Sequence, residues 1–292
     1  MIRPLLTIRS IIALLVMISI GFTSCESDAY FEVPDGESKL FAFSEINTED
    51  LIEVKVNTSI GINTDDRFYF PGQEGANVTL YKDGVPLDNP GFRYISSKAA
   101  FVSLGSFRPE TNAVYGLHVE LTDKTSKIKE IYAETSIPVK DTLSNVLIEK
   151  IDESHIRVSC GFKNLENEYF MLIPKFKSYQ GAFLRTEISD IENTNVSLRS
   201  IINENKLLIS KAELEEDLIF EVTSDEVLTG NLLDIELRSI TKEAYKYYEK
   251  YSLEVVSQSI SVSEPIIRQT NFENGLGLFT GYAKSSASFL IN

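Results

Sequence analysis

The chain has 292 residues, of which 43% are hydrophobic, and its 43 acidic residues against 28 lysines and arginines give a formal net charge of −15. The apolar fraction is sufficient for folded cores, and the length suits one large domain or two ordinary ones. The acidic residues are spread among apolar ones, which indicates a solvated globular surface, and a field of this sign argues against a nucleic-acid partner.

Residues 1–24 have the pattern of a bacterial signal peptide that ends at a lipidated cysteine. Arg3 and Arg9 make a basic start, and the apolar run from Ile11 to Ile20 is too short for a transmembrane helix, which needs about 20 residues. The small residues of "FTSC" lead into Cys25. We therefore predict cleavage before Cys25 and acylation of its thiol, which would hold the chain on a membrane. An ordinary secretory signal with an incidental cysteine is the alternative.

Residues 25–29 are interpreted as a lipidated tether. Glu26 and Asp28 favour the outer membrane as the destination, and acidic residues at these positions resemble the surface-export signals of Bacteroidota lipoproteins. A solvated tether without an export role is the alternative. The prediction is a lipid-anchored protein of the outer membrane, exposed at the cell surface, with a formal charge of −17 once the two arginines of the signal are removed.

Residues 30–139 are predicted to form an antiparallel β-sandwich of immunoglobulin-like or transthyretin-like size. In "LIEVKVNTSI", Ile52, Val54 and Val56 alternate with polar residues, which is the period of a half-buried strand. Asp83-Gly84 in "VTLYKDGVPL" predicts a hairpin turn, because both residue types tolerate positive φ. Further alternating segments follow at regular spacing, as expected for a sandwich.

Residues 140–292 are predicted to form a second β-rich domain with a helix near residues 240–257. Pro138 ends a strand and polar residues follow, which favours a domain junction after residue 139. In "ITKEAYKYYEKYSLEVV" the apolar spacing changes to three and four residues, the helical period, and Thr241 can cap the helix. Its tyrosines could form a binding stripe, but packing of one side against the sheet is the interpretation that we favour.

Few residues offer catalytic chemistry. His118 and His155, the two histidines of the chain, fall in different predicted domains, and neither has a metal-binding spacing. Cys160 alternates with apolar residues, so a buried structural thiol is expected rather than a nucleophile. We therefore assign no catalytic residue, metal or cofactor, and we expect a protein that is not an enzyme.

Two weaker patterns involve side chains that could bind or carry a group. Asp65, Asp66 and Glu74 lie near a turn and could hold calcium, but the DxDxDG spacing is missing, which favours a solvated loop. Asp141-Thr142-Leu143 resembles the short acceptor motif for O-glycosylation in Bacteroidota and predicts modification of Thr142.

The stretch "NFENGLGLFTGY", residues 271–282, is rich in glycine. The spacing of Gly275, Gly277 and Gly281 differs from that of a dinucleotide-binding GxGxxG loop and of a phosphate-binding P-loop, and no lysine follows. We interpret the stretch as a structural element, in which the glycines let the backbone turn and approach a neighbour closely while the aromatic residues pack.

The same stretch resembles the C-terminal signature, roughly Asn-x-Glu-Asn-Gly-Leu-Gly-x-Phe-x-Gly-Tyr, of a Bacteroidota lipoprotein family known as domain of unknown function 4249. The matching positions are Asn271, Glu273, Asn274, Gly275, Gly277, Phe279, Gly281 and Tyr282. "SDEVLTG" and "LRSITKEAYKYYEKY" resemble further segments of the family in the same order. The resemblance implies an outer-membrane location and genes beside TonB-dependent receptors, and it supplies no catalytic residues. The signature could be a folding requirement or a binding site.

These observations predict an outer-membrane lipoprotein that serves as a non-catalytic accessory or binding component beside a TonB-dependent receptor barrel, with an unknown ligand. A structural or assembly role in an envelope complex is the first alternative, and a large exposed apolar patch would favour it. A surface hydrolase is the second, and it would require His118 or His155 to line a pocket with a partner carboxylate or hydroxyl.

Overall fold

A computed structural model describes residues 39–58, 72–122, 130–164, 166–192, 205–214, 217–258 and 269–292, without the side chains of 252–258. The predicted signal peptide, Cys25, the tether, and Asp65 and Asp66 lie outside the described residues. All the described residues belong to one compact unit, Glu37–Asn292.

Sixteen strands and one α-helix make up most of the described part of the chain, so the predicted mainly-β class is confirmed. The helix, α1, spans Lys242–Gln258, and two 3₁₀ turns span Ser96–Lys98 and Lys211–Glu213. In chain order the strands are β1 (Leu40–Ile46), β2 (Glu53–Thr58), β3 (Ala76–Lys82), β4 (Val85–Pro86), β5 (Phe92–Ile95), β6 (Ala100–Ser103), β7 (Val114–Leu121), β8 (Glu130–Ser136), β9 (Leu143–Lys150), β10 (His155–Phe162), β11 (Tyr169–Lys177), β12 (Glu187–Ile191), β13 (Leu207–Ser210), β14 (Leu218–Thr223), β15 (Leu232–Ile240) and β16 (Leu276–Leu290).

The strands form three sheets. The large sheet has eight strands in the order β13-β11-β15-β16-β1-β2-β6-β5, and the two smaller sheets have the orders β12-β14-β10-β9 and β4-β3-β7-β8. The predicted hairpin at Asp83-Gly84 joins β3 to β4, and both residues have positive φ. The pairing differs from the predicted antiparallel arrangement at one place: β1 and β16 run parallel, because a long excursion of the chain and not a hairpin connects them.

β16 belongs to both halves of the chain. Its residues from Leu276 to Gly281 pair with β1, and those from Tyr282 to Leu290 pair with β15. The expected junction after residue 139 falls between β8 and β9, but the large sheet is continuous across that point. The two halves, residues before and after this junction, are therefore joined through a shared strand.

Two hydrophobic cores lie on the same face of the large sheet. The first includes Val56, Leu117 and Phe279 and is closed by the β4-β3-β7-β8 sheet; the second, closed by the β12-β14-β10-β9 sheet, includes Phe220. Phe279 of β16 belongs to the first core and Phe289 packs against the second. Since side chains separated by an even number of residues share a face of a strand, both small sheets cover one face.

Helix α1 covers the opposite face of the large sheet. Ala244, Tyr247 and Tyr248 are buried there against Leu278 and other residues of β11 and β16. Their three- and four-residue spacing places these side chains on one side of the helix. As the sequence predicts, Thr241 caps the helix: the Ala244 N–H donates to its Oγ1 at 3.2 Å.

Pro174 lies in the interior of β11, opposite Ile235 of β15, although proline cannot donate a hydrogen bond to a neighbouring strand. β13 pairs with β11 only from Tyr169 to Leu172. Among the described residues, no strand pairs with Pro174 on the β13 side of β11, which accommodates a residue that has no N–H group.

Candidate functional site

The C-terminal motif, Asn271–Tyr282, is attached to two strands by hydrogen bonds. Asn271 Nδ2 donates to the carbonyl oxygen of Phe279 at 2.7 Å, and the Phe279 N–H donates to Asn271 Oδ1 at 3.0 Å. The Glu273 N–H donates to the carbonyl oxygen of Tyr132 at 2.8 Å, which forms a bridge to β8. The polar residues of the motif thus hold the beginning of β16 in place.

Two motif glycines stand where the backbone has no room for a side chain. A Cβ on Gly277 would lie 1.7 Å from the Ala42 carbonyl oxygen, and φ of Gly277 is +117°, a conformation that glycine alone adopts readily. A Cβ on Gly281 would lie 2.3 Å from the Ser136 carbonyl oxygen. These glycines let β16 contact β1 and the end of β8 directly.

Tyr282, the last motif residue, lies where β16 changes its partner from β1 to β15. Asn47 Nδ2 donates to its hydroxyl at 2.7 Å, and the guanidinium carbon of Arg238 lies 4.4 Å from the ring centroid, a cation–π contact. Tyr248 of α1 donates to Glu45 at 2.7 Å, and Glu45 lies 3.9 Å from Arg238. This network connects α1 to the large sheet.

Burial governs the ionisation of the two tyrosines in this network. It raises the pKa of Tyr248 well above its ordinary value, and Glu45 adds to the rise. Burial also raises the pKa of Tyr282, although Arg238 opposes it. Both hydroxyls therefore stay protonated and able to donate hydrogen bonds at neutral pH.

An open groove of about 840 Å³ lies beside the motif, where the two halves and α1 meet. We call it the junction groove. Its apolar lining residues come from both halves: Val114 and Pro138 from the first, Tyr169 and Ile240 from the second. Val114 is 42% exposed. The groove therefore presents apolar surface to the solvent.

Four exposed carboxylates also line the junction groove. Glu134 comes from β8, Glu166 and Glu168 precede β11, and Glu243 lies in the first turn of α1. Among the lining residues that the structure describes, Lys242 is the one cation, so their formal charge is −3. The groove thus combines apolar lining residues with exposed carboxylates, and we call the two sets its apolar base and its acidic rim.

Hydrogen bonds fix the walls of the junction groove. Asn167 Nδ2 donates to the Val139 carbonyl oxygen at 2.8 Å and to Ser239 Oγ at 3.1 Å. Thr135 Oγ1 accepts the Gly281 N–H at 2.9 Å, so the motif strand also supports the groove. Side chains with two partners lose little freedom on binding, which makes the groove a preorganised surface.

A family model described as "Domain of unknown function (DUF4249)" matches residues 26–288. The chain belongs to this family. The DUF4249 match includes both halves, the junction groove and the C-terminal motif. The comparison with curated proteins gives no match. Among the described residues of this DUF4249 chain, no helix is long and apolar enough to cross a membrane.

His155 lies near carboxylates and a serine hydroxyl, the groups that accompany a catalytic histidine, but their arrangement differs from that of a catalytic triad. Its Nε2 lies 2.8 Å from Glu221 and 3.5 Å from Ser189 Oγ, and its Nδ1 lies 4.0 Å from Asp152. A triad requires the nitrogen that faces the serine to be free to accept its proton, whereas Nε2 is here engaged by Glu221. His118 contacts Glu130 at 3.2 Å. Neither histidine lines the junction groove.

The other side chains with potential chemistry are placed as follows. Cys160 is fully buried, and burial raises its thiol pKa to about 12, so the thiol remains protonated. Thr142 is partly exposed beside the buried Asp141, and its O-glycosylation stays a prediction. Within the part of the chain that the structure describes, which includes Glu74, no three His, Cys, Asp or Glu side chains could hold a metal ion.

An exposed apolar patch lies at the end of the large sheet distant from the beginning of β16. Its side chains are Tyr179 (79% exposed), Phe183 (68%), Val227 (56%) and Leu290 (58%). Asn231 connects their segments, because it accepts the Tyr179 N–H at 3.3 Å and donates to the Val227 carbonyl oxygen at 2.8 Å. Sequence reasoning missed both the patch and the groove, although the two aromatics around Gln180-Gly181 in "SYQGAF" were a local signal for the patch.

Proposed function

We propose that this DUF4249 chain is an outer-membrane lipoprotein, exposed at the cell surface, that acts as a non-catalytic binding component beside a TonB-dependent transporter. The signal pattern that ends at Cys25 supports lipidation, and the family match begins at the next residue, 26. The lipid would keep the binding surface at the membrane and raise its local concentration near a partner barrel.

The junction groove is the observation that carries the binding role. Its base is apolar, its rim is charged, and residues of both halves hold its walls. Such a combination is typical of sites that bind a ligand through apolar contacts and electrostatic attraction. The groove is also open to solvent, whereas an enzyme site usually gains from excluding water. These features favour reversible capture.

The experiment is an affinity purification from native outer membranes in mild detergent, with a tag after the exposed Asn292 and Cys25→Ala as the control. Stoichiometric recovery of a TonB-dependent barrel with the lipidated chain, reduced in the Cys25→Ala variant, is the expected result. Mass spectrometry of the mature N-terminus tests acylation of Cys25 in the same material. Recovery of the chain alone from intact membranes would exclude a stable complex with a transporter.

A structural or assembly role is the second candidate function, and the exposed apolar patch favours it. Contiguous exposed aromatic and aliphatic side chains mark contact surfaces between proteins. The double variant Tyr179→Ser/Phe183→Ser should then remove the co-purified partner, while Leu147→Ser, at another exposed position, should retain it. If the patch variant keeps its partner and a groove variant loses it, the binding role is favoured over the assembly role.

A further inference from the structure

We propose that the junction groove binds an extended, basic amphipathic peptide segment, in which lysine or arginine side chains alternate with aliphatic ones. This assignment rests on the proposed function, because it names the chemistry of what the groove captures.

The apolar base of the groove selects for aliphatic side chains. Val114, at the start of β7, is 42% exposed, and Tyr169, at the start of β11, is partly exposed, so both lining side chains contact water. Apolar surface that stays in contact with water gains free energy when a ligand covers it. A small hydrophilic cation without aliphatic side chains would leave this surface in contact with water.

The acidic rim selects for positive charges that are spaced apart. Glu134, Glu166 and Glu243 stand on three different segments around the base, with Lys242 as the single opposing charge. No three acidic, histidine or cysteine side chains among the described residues come close enough to share one metal ion. Separate carboxylates around an apolar base instead match separate cationic side chains along a chain, and they repel phosphates and other anions.

The dimensions of the groove suit a peptide segment. Its volume of about 840 Å³ lies in the upper part of the range of about 300–1,000 Å³ that is usual for ligand sites. Because the groove is open to solvent, a peptide can bind in it from the side without threading. An extended segment places alternate side chains on opposite sides, so that one set can reach the apolar base while the other reaches the rim.

The test uses the purified chain 26–292, which retains both hydrophobic cores and the packing of α1 because these lie within the compact unit Glu37–Asn292. The probe is a fluorescein-labelled ten-residue peptide in which lysine alternates with valine, and fluorescence anisotropy reports binding. We expect saturable binding that weakens as salt is added, because the attraction is between solvated charges. Comparison peptides with lysine–serine and glutamate–valine alternation should bind at least about tenfold more weakly.

Glu166→Gln/Glu168→Gln removes two charges of the rim, and it should weaken binding of the lysine–valine peptide about tenfold. Glu149→Gln/Glu226→Gln removes two exposed charges elsewhere, and it should change the affinity less than about twofold. Val114→Ser tests the apolar base and should weaken binding of the same peptide. Thermal melting of each variant establishes that it is folded.

Equal weakening in the rim and control variants would overturn the proposal, since the peptide would then respond only to the overall acidity of the chain. Equal affinity for the lysine–serine peptide or for spermine would also overturn it, and so would the absence of saturable binding. The peptide assay contains no membrane, so a negative result in it does not argue against the transporter complex. Equally, a negative result in the membrane purification does not argue against peptide binding.

Discussion

The side-chain amide of Asn271 pairs with the backbone of Phe279 as a neighbouring strand would: it donates to the Phe279 carbonyl oxygen and accepts the Phe279 N–H, at 2.7 and 3.0 Å. Phe279 itself is fully buried. The amide therefore satisfies two backbone groups within the segment of β16 that pairs with β1, which gives this motif residue a structural role independent of any ligand.

Removal of this amide should destabilise the fold. In Asn271→Ala, the polar groups of the Phe279 backbone lose a partner in a buried position, and we expect the free energy of unfolding to fall by about 2 kcal/mol. Urea denaturation followed by circular dichroism measures it. Asn274→Gly is the matched control in the same motif, because Asn274 is exposed with φ of +60°, a conformation that glycine adopts without strain. Equal losses in both variants would contradict the assignment.

Gly277→Ala should lower the free energy of unfolding by more than the positive φ of this position alone explains. The added Cβ would lie 1.7 Å from the Ala42 carbonyl oxygen, so β1 and β16 must separate, and we expect a loss of at least about 3 kcal/mol. Gly230→Ala separates the two effects, because Gly230 has φ of +82° with open space around it, and about 1 kcal/mol is expected there. Similar midpoints in a urea titration would refute the close-contact explanation.

In this protein the sequence predicts local structure better than it predicts which distant segments of the chain contact one another. The alternation of Ile52, Val54 and Val56 corresponds to a real strand, with all three side chains buried, and the helical spacing after Thr241 corresponds to α1. Both signals arise from side chains close in sequence, which share a face because of backbone geometry. The glycine-rich sequence of the motif likewise indicates that the backbone closely approaches a neighbouring segment. It does not indicate that the neighbour of Gly277 is Ala42.

The junction groove shows what a single sequence leaves undetermined. Its lining comes from positions as distant as Val114 and Glu243, and no local pattern associates them. The continuity of the large sheet across the expected junction depends equally on pairing between β1 and β16, which only the folded chain reveals. The proximity of His155 to Glu221 is a third case, since it requires the register between β10 and β14.

Ser44→Ala should stabilise the protein. Ser44 is buried on the same face of β1 as Ala42 and Ile46, and its hydroxyl has no hydrogen-bond partner among the described residues. Replacement by alanine removes an unpaired polar group, so the free energy of unfolding should rise by about 1 kcal/mol. Ser239→Ala is the control: that buried hydroxyl accepts a hydrogen bond from Asn167, and its loss should lower stability. Calorimetric melting distinguishes the two directions.

The buried thiol of Cys160 should make stability depend on alkaline pH. Its pKa is about 12 in the folded chain, against an ordinary value of 9.0. The unfolded state therefore loses its proton first, and the stabilising contribution, complete below pH 9, declines as the pH rises towards 12. The loss should be on the order of 1 kcal/mol at pH 10.

Cys160→Ala isolates this contribution, because lysines and tyrosines that titrate at the same pH remain in both proteins. The measurement is the free energy of unfolding at pH 8 and pH 10, and the original chain should lose more than the variant. In the chain 26–292 Cys160 is the single thiol, so it should react slowly with a thiol reagent until the protein unfolds. Rapid reaction under native conditions would show that the thiol is accessible.

The parallel pairing of β1 with β16 joins Phe41 to Leu276, across 235 positions of the chain. While the ribosome is still adding the intervening residues, the first strand has no neighbour on that side, and neither core is complete. Pairing over such a distance forms late, because the entropy of closing a long loop is lost before any contact between the two strands stabilises the chain. For a chain that carries the predicted export signal this delay is useful, since a polypeptide that folds only once β16 has been made can still be threaded through a narrow translocation channel.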